Sequence, residues 1–309
     1  MQQQTEPKKA GSKALDVFLL VMTVLPFIAG MVLKILTADG ALYTIGVSGA
    51  QIYFTIHLPL QDLPITESQV VSWIVLVSVF FLCLYLTHGI TVIPSSKRQL
   101  FAEFIVEKAE DLVGKNMGER FRETFTPFIS AIMVLSALSS LSSLLGLHPP
   151  TSDINVVAGW AILVFFLITA YKMKGGLWNY IKGFGDPIPF FAPFNVISEV
   201  ATPVSMSFRH YGNVLSGVVI STLIACGLQN VSHALLGWLP GVLGEIPFLQ
   251  IGIPAVLSLY FDLFSGLLQA FIFAMLTMLY ISSGFPEEAY EARKAKKAAR
   301  RQAKSIEAA

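Results

Sequence analysis

Apolar residues gather in six long stretches along the chain, at approximately 16–36, 70–93, 124–146, 154–171, 196–229 and 248–283. Each approaches or exceeds the roughly 20 residues a helix needs to cross a bilayer, so the pattern predicts six membrane-spanning helices. The last two are longer than one perpendicular crossing requires: about 35 residues at 1.5 Å each make a helix of roughly 50 Å, against a hydrocarbon core of about 30 Å. They must tilt, kink or protrude, and Pro203 marks a candidate kink in the fifth. Between the second and third stretches, SKRQLFAEFIVEKAEDLVGKNMG (96–118) sets Leu100, Phe104, Ile105, Leu112 and Val113 on a helical period with charges opposite. That predicts an amphipathic helix on the membrane surface or, failing that, a packed linker helix. The closing EEAYEARKAKKAARRQAK predicts a charged helix or a frayed tail, drawn to anionic headgroups.

Composition agrees with this reading: 54% of the 309 residues are hydrophobic and 13% are charged, against roughly 25% charge in a typical soluble domain. The fold class expected is an all-α polytopic membrane protein. Net charge is only +1, but its placement is informative. Of the 21 Lys and Arg, all but Lys34 and Arg209 fall in the N-terminal tail, the segments 94–123 and 172–189, or the tail after 284. The connections 37–69, 147–153 and 230–247 hold none. Six crossings with both termini cytoplasmic satisfy the positive-inside rule throughout. The first stretch has a second reading. A basic tail, an apolar run and the small-residue patch TADGA also suit a cleaved signal peptide; Lys34 and Asp39 suit a cleavage site poorly and favour a retained helix.

No period of 20–50 residues recurs, and neither a phosphate-binding glycine loop nor a zinc-protease motif is present. Cys83 and Cys226 lie in apolar runs and read as packing residues. His57, His88, His148 and His233 fall at or beyond the expected membrane edges and read as interfacial or loop residues. Nothing points to a cofactor, a bound metal or nucleic acid.

The polar residues of the last two crossings are different. In the fifth, Asn195, Glu199, Thr202, Ser205, Arg209, Asn213 and Ser216 follow three- and four-residue steps; in the sixth, Asp262, Ser265, Gly266 and Gln269 do the same. Two facing polar stripes in lipid imply a path between them. Counting rise from the basic ends puts Arg209 and Gln269 both at about 20 Å, with Asp262 about 10 Å further out and Glu199 about 15 Å nearer the cytoplasm. An ionisable group on each side of a central cation is the arrangement of two offset access routes that do not join. A guanidinium at mid-bilayer costs about 2.5–3.5 kcal/mol on insertion scales. Three readings compete for what offsets it: neutralisation by Asp262 or Glu199, an anionic substrate in a secondary transporter, or a counter-charge on another chain. The lack of a carboxylate at the depth of Arg209 favours the last. His210, about 100° around the helix, faces either neighbouring helices or the same partner. Asp153 either caps the fourth crossing or shares in the outer route.

The string TPVSMSFRHYGNVLSG (202–217), followed by LFSGLLQAFIFAMLTMLYIS (263–282), closely resembles subunit a of F-type ATP synthases, with further matches at PTSDINV, YKMKGGLWNYIKGF and APFNVISE. The likeness covers about 50–285. It implies three parts: a segment 1–48 holding the extra apolar helix, a membrane domain 49–285, and a charged tail 286–309. It also implies a stator that performs no covalent chemistry, whose last two helices form a hairpin against a rotating c-ring, with peripheral-stalk b subunits and the bilayer as further partners. Arg209 would attract the ring's deprotonated carboxylates and block leakage between two half-channels, with Asn213 its polar neighbour and Gln269 its partner on the last helix. Glu199 would belong to the inner route. Relatives often carry a glutamate after the glycine equivalent to Gly217 and a histidine at the place of Asp262; here stand Val218 and Asp262. Asp262 would then be the main outer relay. A self-contained transporter for an anionic solute is the alternative, although its usual two related halves and broken midplane helices are not evident.

Overall fold

The computed structural model describes residues 10–37, 49–57, 61–94, 96–185, 188–237 and 252–307, with Pro59 and Leu249. Asp39, the tail lysines Lys8 and Lys9, and most of the 230–247 connection lie outside the described residues. Helix α1 spans Ala10–Thr37, strands β1 and β2 span Ile52–Ile56 and Leu63–Thr66, and α2 spans Glu67–Thr87. Then come α3 (Lys97–Met117), α4 (Glu119–Leu141), α5 (Ile154–Lys172), the short α6 (Leu177–Gly183) and the long α7 (Ala192–Leu236). The chain returns through α8 (Ile253–Ser258), a π-helical stretch Leu259–Ser265 and α9 (Gly266–Ser283), and ends in α10 (Glu287–Glu307).

Among the described residues six helical segments are long and apolar enough to cross a membrane: Lys13–Thr37, Glu67–Thr87, Glu119–Leu145, Ile154–Gly175, Pro189–Leu235 and Val256–Ser283. The chain is an all-α polytopic membrane protein. The second span ends earlier than the apolar run suggests: past Thr87 the chain leaves the helix, and Val92 and Ile93 stand exposed. Helix α7 runs through Pro203 without interruption, and the Ser207 hydroxyl donates to the Pro203 carbonyl at 2.7 Å.

The core is built from α3, α4, α5 and α9. Val113, Met117, Phe121, Phe125, Ile129, Val164, Ile168, Phe273 and Met278 are buried together, and α7 adds Met206. Helix α3 packs in one half and leaves apolar residues exposed in the other, so the packed-linker reading holds for its C-terminal half. Its C-terminal half packs through Ala109, Val113 and Met117 at four-residue steps, whereas Leu100, Phe104 and Ile105 of its first half stay exposed. A smaller cluster of Val71, Val75 and Leu147 seats α1 through Phe27.

Two ion pairs fix α1 at opposite ends. Lys34 Nζ lies 2.9 Å from the buried Glu67, whose carboxylate also accepts the His148 backbone N–H at 3.1 Å. Asp16 accepts from Arg98 at 2.6 Å and lies 3.2 Å from His88. Most of the remaining surface of α1 is apolar and outward-facing, as a lipid-bathed helix requires. The antiparallel β1–β2 hairpin was not expected from the sequence; it joins α2 directly, with the Glu67 N–H donating to the Gln51 carbonyl at 2.8 Å. Cys83, read as a packing residue, is exposed on α2, while Cys226 is half-buried.

Candidate functional site

Arg209 and His210 are sequence neighbours with opposite fates. A step of about 100° turns one outward and the other inward. His210 is fully buried: its Nε2 lies 3.3 Å from Ser136 Oγ on α4, and its ring meets Trp160 of α5 and Phe273 of α9. Its Nδ1 is buried and has no hydrogen-bond partner among the described residues. Arg209 is exposed, on a stripe of α7 that also shows Ala201, Ser205, Phe208 and Ser216 to the outside. Arg98, Arg120 and Arg122 each hold a carboxylate, but among the described residues no carboxylate pairs with Arg209. Neither Asp262 nor Glu199 reaches it.

The polar stripe of α7 meets that of the returning helix one turn beyond the arginine. Asn213 Nδ2 donates to Ser265 Oγ at 2.8 Å, joining α7 to the π-helical stretch. Two glycines make the approach close. An added Cβ at Gly217 would sit 3.2 Å from the Phe261 ring, and one at Gly266 would sit 2.8 Å from Ser140 Cβ on α4. Small residues at such crossings let helix backbones pack where lipid supplies no hydrophobic drive.

Asp262 lies inside the π-helical turn, half-exposed, and accepts a hydrogen bond from the Ser258 hydroxyl one turn earlier. A π turn widens the helix locally and frees it from the regular i→i−4 ladder, which is why such turns recur at functional positions. Gln269 is buried on α9, and no hydrogen bond joins it to Arg209. The expected meeting of these two side chains is therefore not made within the described residues.

A model of the family described as ATP synthase A chain matches residues 69–282, well over half of the chain. The chain belongs to that family. Among curated proteins it is similar to "ATP synthase subunit a, sodium ion specific" of Propionigenium modestum, 27% identical across 88% of this chain and 97% of the relative. It is also similar to ATP synthase subunit a of Legionella pneumophila, 28% identical across 72% of this chain and 87% of the relative. The Bacillus pumilus subunit a is 32% identical across 66% of this chain and 85% of the relative.

The remaining predicted residue, Glu199, is held in the first turns of α7. Lys172 Nζ donates to Glu199 Oε2 at 2.6 Å, and the Tyr180 hydroxyl approaches Oε1 at 3.5 Å. Burial raises the Tyr180 phenol above its ordinary range, and the Glu199 charge adds to that, so the hydroxyl is kept as a donor. Asn195, Ser198 and Thr202 join Lys172, Tyr180 and Glu199 around a cavity of about 520 Å³. At the other side of the membrane a cavity of about 800 Å³ opens between the hairpin, α2, α4 and α5, reaching from Asp62 and Asp153 inward to Ser139 and Trp160. Trp160 is the residue that covers His210, with ring centres 6.1 Å apart. Asp153 caps α5 by accepting the Asn155 N–H at 2.9 Å, and it also lines this cavity, so its two readings are compatible. Asp262 does not line it.

Lys172, Tyr180 and Ser258 were missed by sequence reasoning. Lys172 was counted only as a topology signal, and nothing local to YKMKGG points to a carboxylate 27 positions later.

Proposed function

We propose that this chain is the ion-translocating stator of a rotary ATP synthase in a bacterial cytoplasmic membrane, with both termini on the cytoplasmic side. It offers two offset half-channels, and Arg209 couples the flow of protons or sodium ions between them to rotation of a c-ring. The reading is carried by one observation: a guanidinium exposed on the outer face of a membrane-spanning helix, with no carboxylate paired to it among the described residues. Such a charge is tolerable in lipid only if a partner or water meets it. A carboxylate arriving on a neighbouring ring supplies that partner, and the small residues Ala201, Ser205 and Ser216 along the same stripe allow a helix of the ring to pass close.

The roles follow from position. Water enters from the cytoplasm at the Lys172–Glu199 cavity, and from the opposite side through the cavity lined by Asp62 and Asp153. Asp262, with Asn213 and Ser265 beside it, passes the ion between the outer side and the ring. Arginine suits the central position because its guanidinium stays charged where a lysine amine, desolvated, could lose its proton. Gln269, buried behind the hairpin, stabilises the packing of α9 against α4 and is free to turn toward Arg209 once the ring is in place. The chain does no covalent chemistry and binds the peripheral-stalk b subunits on surfaces away from the arginine stripe.

Replacing Arg209 with alanine tests this directly. ATP-driven ion pumping in membrane vesicles should fall to background, while ATP hydrolysis by the detached catalytic head is unchanged. Normal pumping would overturn the mechanism. A secondary transporter is separated by co-purification: a stator brings down a ring of small hairpin proteins, and a transporter does not.

A further inference from the structure

We propose that the turn Met173–Gly175 and helix α10 form a binding site for the phosphate-bearing headgroup of an anionic phospholipid. The helix lies beyond the family match, which ends at residue 282. A cavity of about 790 Å³ is lined by Lys174, Tyr290, Arg293, Lys294, Lys296 and Lys297, and by no carboxylate. Tyr290, Arg293, Lys294 and Lys297 recur at three- and four-residue steps and so share one face of α10. Two acids of the same helix point elsewhere: Glu287 and Glu291 pair with Arg120 at 3.4 and 2.5 Å. Helix α10 thus sorts its charges, and five cations converge on one space with no carboxylate paired to any of them among the described residues. Like charges so placed repel one another and hold a standing potential for an anion.

The site is built rather than frayed. At Gly175 an added Cβ would come within 2.6 Å of the Pro286 ring and 3.3 Å of Ala289 Cβ, so the turn and α10 are in close contact. Arg293 donates to the Lys174 carbonyl at 3.3 Å, and the Lys174 ammonium lies 3.4 Å from the centre of the Tyr171 ring.

Depth selects lipid over a soluble anion. Lys174 stands two residues past the end of α5, in a span that closes at Gly175, and so at the membrane–water boundary. The rings of Tyr171, Phe285 and Tyr290 cluster there, with Phe285 and Tyr290 5.2 Å apart, as interfacial aromatics do. Next along the chain, Leu177 and Trp178 of α6 are 61% and 70% exposed, an apolar surface that acyl chains can cover. A ligand with a phosphate above and hydrocarbon below matches both surfaces.

Native mass spectrometry of the full-length chain, released from mixed bilayers of phosphatidylglycerol and phosphatidylcholine, reads the site. The parent should retain phosphatidylglycerol preferentially. Lys294→Gln/Lys297→Gln should lower that retention by roughly fivefold per charge removed and leave phosphatidylcholine unchanged. Lys294→Arg/Lys297→Arg should behave as the parent, which separates lost charge from a lost fold. Equal retention of the two lipids by the parent, or undiminished phosphatidylglycerol in the glutamine variant, overturns the proposal. So does displacement of the lipid by inorganic phosphate, which would assign the cavity to a soluble anion.

Discussion

Glu199 and Asp262 flank Arg209 along the last two crossings, and the protein holds them in opposite ways. Glu199 is balanced inside the chain, 2.6 Å from the Lys172 ammonium and at the wall of a polar cavity. Among the described residues Asp262 pairs with no cation; the hydroxyl of Ser258, one turn earlier, donates to it. The inner acid is part of an ion pair at the wall of a cavity. The outer acid sits where the helix is locally widened, a placement that fits the proposed role of taking up and releasing the transported cation. Arg209 completes the contrast, since among the described residues no carboxylate pairs with it.

Arg209→Ala, with coupled pumping lost outright, is the largest effect on this scale. Asp262→Asn comes next. With no second acid beside it among the described residues, ATP synthesis driven by an ion gradient should fall at least about tenfold, equivalent to some 1.4 kcal/mol on the transfer step; an unimpaired rate would remove Asp262 from the outer route. Glu199→Gln leaves the Lys172 ammonium uncompensated at a partly buried position. We expect a several-fold loss that is partly restored in Lys172→Gln/Glu199→Gln, because the pair goes as a unit. Should the double variant be as impaired as the single one, Glu199 handles the ion itself and the contrast with Asp262 disappears. Ser258→Ala removes one hydrogen bond to a half-exposed carboxylate and should slow synthesis by only about threefold.

The smallest effect concerns pH. Burial lowers the His148 imidazole below its ordinary value, with the Lys34 charge acting in the same sense and Glu67 opposing. The folded protein therefore keeps this ring neutral at a pH where the unfolded chain would protonate it. Stability at the outer ends of α2 and α4 should be full above about pH 6.5 and decline as pH falls from there toward the folded-state value. Thermal unfolding followed between pH 7 and 5 should show that decline, and His148→Gln should flatten it.

How much of this could be read from the chain alone follows from what lipid does to sequence signals. Span number and order were legible because hydropathy over about 20 residues reports the bilayer itself. The split between Arg209 and His210 was legible because helical geometry demands it. Asp153 declared its cap by standing just before an apolar run. Which face of a span packs against protein was not legible, because a lipid-facing residue is as apolar as a core one. Leu100, Phe104, Ile105 and Val113 share one apolar stripe of α3, yet only Val113 is buried, beside Ala109 and Met117, while the other three are exposed. The two strands escaped notice because they are only five and four residues long and mostly exposed, so no alternation marks them. The π turn around Asp262 has no residue code, and the Lys172–Glu199 pair depends on how α6 folds the chain back.

The most direct test is a high-resolution map of the assembled complex read at Arg209. The account predicts the guanidinium turned toward the ring, within salt-bridge distance of a carboxylate carried by the ring. A guanidinium bound through both nitrogens to Asp262 or Glu199 of its own chain, and turned away from the ring, would contradict it.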